Sequence, residues 1–228
     1  MKKLAAICLL IASLHARADL VLVEKIDGMG PAGQSGEITI KIKGDKIRTD
    51  ISSQMSSIMD TNSGDMITIM HEQKSYLKMS ADKTKAMMEQ MRAMQGKAAP
   101  SAPPEPPKFV STGQKDEVNG FKTEVYTATY DGKKITAWVA LDYPNASSVM
   151  KQFLKMQEVM QSKFPNAAPK MDSLPGLPVK TEMEVNGQKM TTTLVSVKEQ
   201  PVDAADLEIP AGYTEMQMPT FNMPAAKP

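Results

Sequence analysis

Between residues 36 and 80 the chain alternates so regularly that a sheet is the structure it suits: GEITIKIKGDKIRTDISSQMSSIMDTNSGDMITIMHEQKSYLKMS. Ile38, Ile40 and Ile42 fall on one face of an extended segment, and Thr39, Lys41 and Lys43 on the other. That period of two marks a half-buried strand. Gly44-Asp45 is a two-residue hairpin connection, after which Ile47, Thr49 and Ile51 alternate with Lys46, Arg48 and Asp50. Residues 57–61 and 65–70 flank Asn62-Ser63-Gly64, and a polar turn at His71-Glu72-Gln73 leads into 74–79. The stretch predicts five short antiparallel strands with one apolar face, which another part of the chain must cover. On this reading Lys41, Lys43, Lys46 and Arg48 face solvent, and His71 is a solvated turn residue.

The rest of the chain supplies strands and two candidate covers. Residues 19–26 (DLVLVEKI) read as a first strand. The loop at 27–35 contains G-x-G-x-x-G at Gly28, Gly30 and Gly33, but a strand follows it. A dinucleotide site needs a helix to open there, so the glycines read as loop. Ser80 is placed to cap a helix over 81–95 that Gly96 ends, with Met87, Met91 and Met94 on one face and Met88 beside them. Residues 97–108 (KAAPSAPPEPPK) form a Pro-rich linker or long loop.

Strand pattern then resumes. Phe121, Thr123 and Val125 alternate with Lys122, Glu124 and Tyr126; Asp131-Gly132 turns the chain, and Ile135, Ala137, Val139 and Leu141 return opposite Trp138. A second helix is predicted over 146–163, with Val149, Phe153, Met156 and Met160 at helical spacing and Met150 and Leu154 widening the stripe. A Pro-punctuated passage over 164–178 precedes a last hairpin, 179–185 and 189–198, turning at Asn186-Gly187. Residues 219–228 read as a frayed tail. Hairpins interrupted by helices, without βαβ rhythm, predict an α+β fold: a curved antiparallel sheet, a half-barrel, whose concave face the two helices cover. Residues 19–218 are expected to form a single domain.

The first 18 residues have the layout of a secretory signal peptide: Lys2-Lys3, an apolar run over 4–14, then Ala16-Arg17-Ala18. Cleavage near Ala18 places the protein in a periplasm or outside the cell. The apolar run is too short for a permanent span, which takes about 20 residues. Losing Lys2, Lys3 and Arg17 lowers the basic count from 27 to 24 against 26 acidic residues, which argues against nucleic acid as a partner. It also removes the sole cysteine, Cys8, and leaves His71 as the only histidine. Aromatic residues are only 5% of the chain, and 20 Met supply much of its apolar volume, as a deformable core or groove would require.

Catalytic patterns are thin. Ser-x-x-Lys occurs at Ser80/Lys83, Ser75/Lys78 and Ser148/Lys151, without the companion motifs of Ser-Lys enzymes, and Ser80 has a sufficient role as a cap. The chain reads as no enzyme, with no cofactor. Thioether sulfur suits Cu(I), so Met87, Met91 and Met94, or Met216 and Met218, are the alternative: a Met-based copper protein. The other readings are an apolar ligand groove and a closed core serving a structural or interaction module; sequence alone weighs filled and empty interiors equally.

Gly44-Asp45-Lys46-Ile47-Arg48, Ile58-Met59-Asp60, residues 65–70 and Tyr76-Leu77, with Gly120-Phe121, Tyr126, Trp138-Val139 and the closing Ile209-Pro210-Ala211-Gly212-Tyr213, carry a resemblance. They resemble exported bacterial domains of unknown function that in turn look like the LolA/LolB-type lipoprotein-carrier superfamily. The resemblance implies a half-barrel whose concavity holds lipid acyl chains, and hence a lipid or lipidated protein as partner. The groove candidates are Ile38, Ile40, Ile42, Ile47, Ile51, Met87, Met91, Val139, Phe153, Met156 and Met160.

Overall fold

The computed structural model describes residues 19–29, 34–94, 105–130, 132–144, 146–163, 169–185 and 187–217. Six strands come first: β1 (Leu20–Met29), β2 (Gln34–Lys43), β3 (Lys46–Asp50), β4 (Met55–Asp60), β5 (Met66–Met70) and β6 (Ser75–Met79). Helix α1 (Ala81–Met94) follows, then β7 (Val110–Val118), β8 (Phe121–Tyr130), β9 (Lys133–Ala140) and helix α2 (Ala146–Lys163). The chain closes with β10 (Leu177–Val185), β11 (Gln188–Glu199), a 3₁₀ turn (Ala204–Leu207) and β12 (Thr214–Glu215).

All twelve strands form one open, curved sheet, in the order β12-β6-β5-β4-β3-β2-β1-β11-β10-β9-β8-β7. Its two wings are the meanders β1–β6 and β7–β11, joined where β1 pairs antiparallel with β11. Only β12 runs parallel to its neighbour, β6. Gly28 lies within β1 at φ +85°, where a Cβ would stand 2.1 Å from the Lys189 carbonyl oxygen, so close strand approach accounts for this glycine. The next described element is strand β2.

Register assigns the faces. Leu22 pairs with Ile40, Ile42 with Ile47, and Ile47 with Met59, which puts the apolar stripe of β1–β4 on one side. That side is concave and packs with Val149 of α2, which is 2% exposed. Helix α1 behaves differently from the sequence expectation. Ser80 does cap it, its Oγ accepting from the Lys83 amide at 3.3 Å. Yet its described side chains are exposed or at most half-buried, Met87 at 45% exposure, so they do not cover the concave face. The described first turns, ADKTKAM, carry little apolar surface, and the side chains of Met88, Met91 and Met94 lie outside the described residues.

The outer face of the first wing is also covered. The chain after β11 runs back across β2 and β3 to the β6 edge. Lys43 donates to Asp19 at 2.9 Å and to the Val202 carbonyl at 2.6 Å; Lys41 reaches Asp206 at 2.8 Å, and Arg48 donates to the Asp206 carbonyl at 2.9 Å. The expectation that Lys41, Lys43 and Arg48 face solvent is therefore corrected, because this segment brings carboxylates and carbonyls over them; only Lys46 is exposed. Val202, Leu207, Ile58 and Ile69 are each no more than 4% exposed, so the outer face carries its own apolar core.

Candidate functional site

Leu20, Leu22, Glu24 and Ile26 alternate onto the concave side of β1. Glu24 is opposite Ile38 on one flank and Leu194 on the other, at a bulge where β11 slips by a residue. Helix α2 lies over these strands, and between them opens a cleft of about 430 Å³. Its floor includes Leu22, Ile40, Ile47 and Leu194, and its roof Val149, Phe153 and Met156. Among the described residues six methionines line it, Met59, Met66, Met156, Met171, Met183 and Met190, with Met59 paired to Met66 and Met183 to Met190 across strands.

Gln157 fastens the wall opposite the floor. Gln157 donates to the Pro169 carbonyl at 3.1 Å and accepts from the Met171 amide at 3.1 Å, fastening the chain before β10 to α2. The remaining polar lining is Thr49, Ser57, Gln161, Thr181, Thr192 and Glu24. Glu24 is half-buried and, among the described residues, forms no hydrogen bond or ion pair; burial pushes its carboxyl pKa up. Sequence reasoning passed over this residue. The signal was present: in DLVLVEKI, Glu24 occupies the place where the Leu20, Leu22, Ile26 alternation calls for an apolar side chain.

Of the residues expected in a groove, Ile40, Ile47, Phe153 and Met156 come together in the cleft lining. Ile38 faces the same side but is packed into the core with Leu20 and Leu22, and Ile42 packs against that core. Ile51, just past the end of β3, is half-buried outside the lining. Val139 is fully buried with Ala137, Met171 and Leu174, behind the wall rather than on its surface. Met87 is on exposed α1, for the reason given above, and the side chains of Met91 and Met160 lie outside the described residues. Met216, a copper candidate with Met87, is 44% exposed; Met94, by its side chain, and Met218 lie outside the described residues.

A polar cluster occupies the outer face. Ser56 is 1% exposed and its Oγ stands 2.7 Å from Asp50, 2.8 Å from His71 Nε2 and 3.1 Å from Arg48, while His71 Nδ1 meets the Tyr213 hydroxyl at 3.0 Å. The roles follow by elimination. An ionised Asp50 only accepts and Arg48 only donates, so the Ser56 proton goes to Asp50 and His71 Nε2–H donates to Ser56. The Ser56 lone pairs are then occupied and its proton points away from the imidazole, the reverse of an activated nucleophile. His71 is thus no solvated turn residue: it ties Tyr213, and with it the C-terminal segment, to the sheet.

No helix among the described residues is long and apolar enough to cross a membrane, and no cluster of three or more His, Cys, Asp or Glu that could hold a metal occurs among them. No curated protein matches the chain. Among solved structures, PNGF-II is similar in two crystal forms, each with TM-score 0.38, at 12% and 14% identity and over 87% of this chain. The chain spans 31% of the PNGF-II length. A LolA superfamily protein from Nitrosomonas europaea is similar with TM-score 0.33 and 11% identity, over 84% of this chain and 90% of that one. Likenesses this distant say nothing of ligand or activity. The family model described as a domain of unknown function, DUF4412, matches residues 25–213, from within β1 to the residue before β12. On that match the chain belongs to the DUF4412 family.

Proposed function

We propose that this protein is an exported, non-enzymatic carrier that takes an apolar ligand, such as a lipid acyl chain or the lipid of a lipidated partner, into the cleft between the concave sheet face and α2. The observation that supports this most is the cleft itself. At about 430 Å³ it falls within the roughly 300–1,000 Å³ of small-molecule sites, and its surface is mostly apolar. Methionine on floor, wall and roof lets the lining repack around a flexible chain at low cost. The residues 1–18 reading supports export.

Native mass spectrometry of the protein purified from a bacterial periplasm tests the proposal. Co-purifying lipid, or stoichiometric uptake of an added single-chain alkyl alcohol or alkylamine, is the expected result. A clean ligand-free mass with no uptake would overturn it.

A further inference from the structure

We infer that Glu24 anchors the head group of the ligand, and that the ligand joins an apolar chain to a cationic amine. This rests on the reading of the cleft as an apolar-ligand site and narrows its ligand class. Among the described residues, Glu24 is the only ionisable side chain in the cleft lining; the other polar members are neutral amides and hydroxyls. The neighbouring cations are engaged elsewhere: Lys25 with Asp27 at 3.1 Å, and Lys180 and Lys189 with Glu182 at 2.9 and 2.7 Å. A carboxyl group set among Leu22, Ile38 and Leu194 without a partner is a costly placement for a core-facing strand position. An ionised carboxylate only accepts, so what completes it is a donor, and a cationic donor also cancels its charge.

Ligand chemistry follows from that complement. A primary ammonium brings up to three N–H donors and a positive charge into a weakly polar site, where each counts for more than in water. An alcohol offers a hydrogen bond without the charge. A fatty-acid carboxylate meets like charge.

Calorimetric titration of the purified protein and its Glu24→Gln variant with decylamine and decanoate below their micelle concentrations and decanol below its solubility limit, all at neutral pH, tests the inference. We expect decylamine to bind the parent about tenfold tighter than decanol or decanoate, the size of a charged hydrogen bond, and Glu24→Gln to erase that preference while keeping decanol binding. Equal binding of amine and alcohol, or a preference that survives in the variant, would overturn the anchor and leave the apolar cleft standing. Tightest binding of decanoate would overturn the amine class, pointing to a protonated Glu24 sharing its proton with an anionic head. No binding of any probe to either form would overturn both the anchor and the proposed function.

Discussion

At Glu24 the ionised form works against the fold, because burial raises its carboxyl pKa and no described partner offsets that. The raised folded value means its stabilising form is the protonated one. Its contribution is fully present below the ordinary 4.5 and is lost as pH rises through the folded value. Glu24→Gln should therefore raise the thermal midpoint at neutral pH by on the order of 2 °C, with the difference vanishing below pH 4.5, as followed by circular dichroism melts across pH. Ser56 predicts the opposite sign. Ser56→Ala removes a hydroxyl that joins Asp50, Arg48 and His71, and should cost about 1–3 kcal/mol in urea unfolding without altering ligand uptake. The two residues also differ in how far sequence reveals them. Glu24 interrupts a visible alternation, whereas Ser56, His71 and Tyr213 meet across separations of 15 and 142 residues that no local pattern records.

The C-terminal segment is an element defined by its contacts more than by its secondary structure. Burial acts to raise Asp50, but the Ser56 hydroxyl and the Arg48 and Lys41 cations outweigh it and hold that carboxyl below its ordinary value. Asp19 is similar, with the Val202 amide and Lys43 outweighing burial. Depressed folded values stabilise above the ordinary 3.8 and lose that contribution as pH falls below it, so residues 200–217 should lose protection from hydrogen exchange, relative to the intrinsic rate, in acid below pH 3.8 before the strands of the sheet open. Comparable protection of both down to global unfolding would contradict this. Another prediction concerns the turn into β10, where a Cβ on Gly176 would stand 2.5 Å from the Ala140 carbonyl oxygen. Gly176→Ala should cost about 1–3 kcal/mol and weaken ligand uptake, since it displaces Leu177 and Pro178 of the cleft. Legibility varies among elements for physical reasons. Helix α2 was read to its ends because its apolar stripe is what packs. For α1 the extent was legible to within a residue, but a methionine stripe does not say whether a partner surface exists. Strand β7, VSTGQKDEV, is an edge strand with almost every side chain exposed, and so shows no alternation to read.

For the whole molecule, the sheet followed from period-two patterning in both wings, and its open, curved form agrees with the expectation from sequence. Which face would be doubly covered did not follow. A two-residue parallel strand and a 3₁₀ turn closing the outer face have no sequence signature at that length. The choice between packed core and cleft was also beyond the sequence, since Ile38 and Ile40 lie two residues apart on one strand face and share the core, yet only Ile40 also lines the cleft. The central claim is that an apolar ligand enters beneath α2. Methyl-resolved NMR during titration with decylamine tests it most directly, because methionine methyls mark the cleft and exposed α1 separately. The account predicts saturable shifts at Met59, Met156, Met183, Met190, Ile47 and Leu194, with Met87, Ile58 and Ile69 unmoved. Shifts centred on Met87 or on the outer face, or none at saturating ligand, would contradict it.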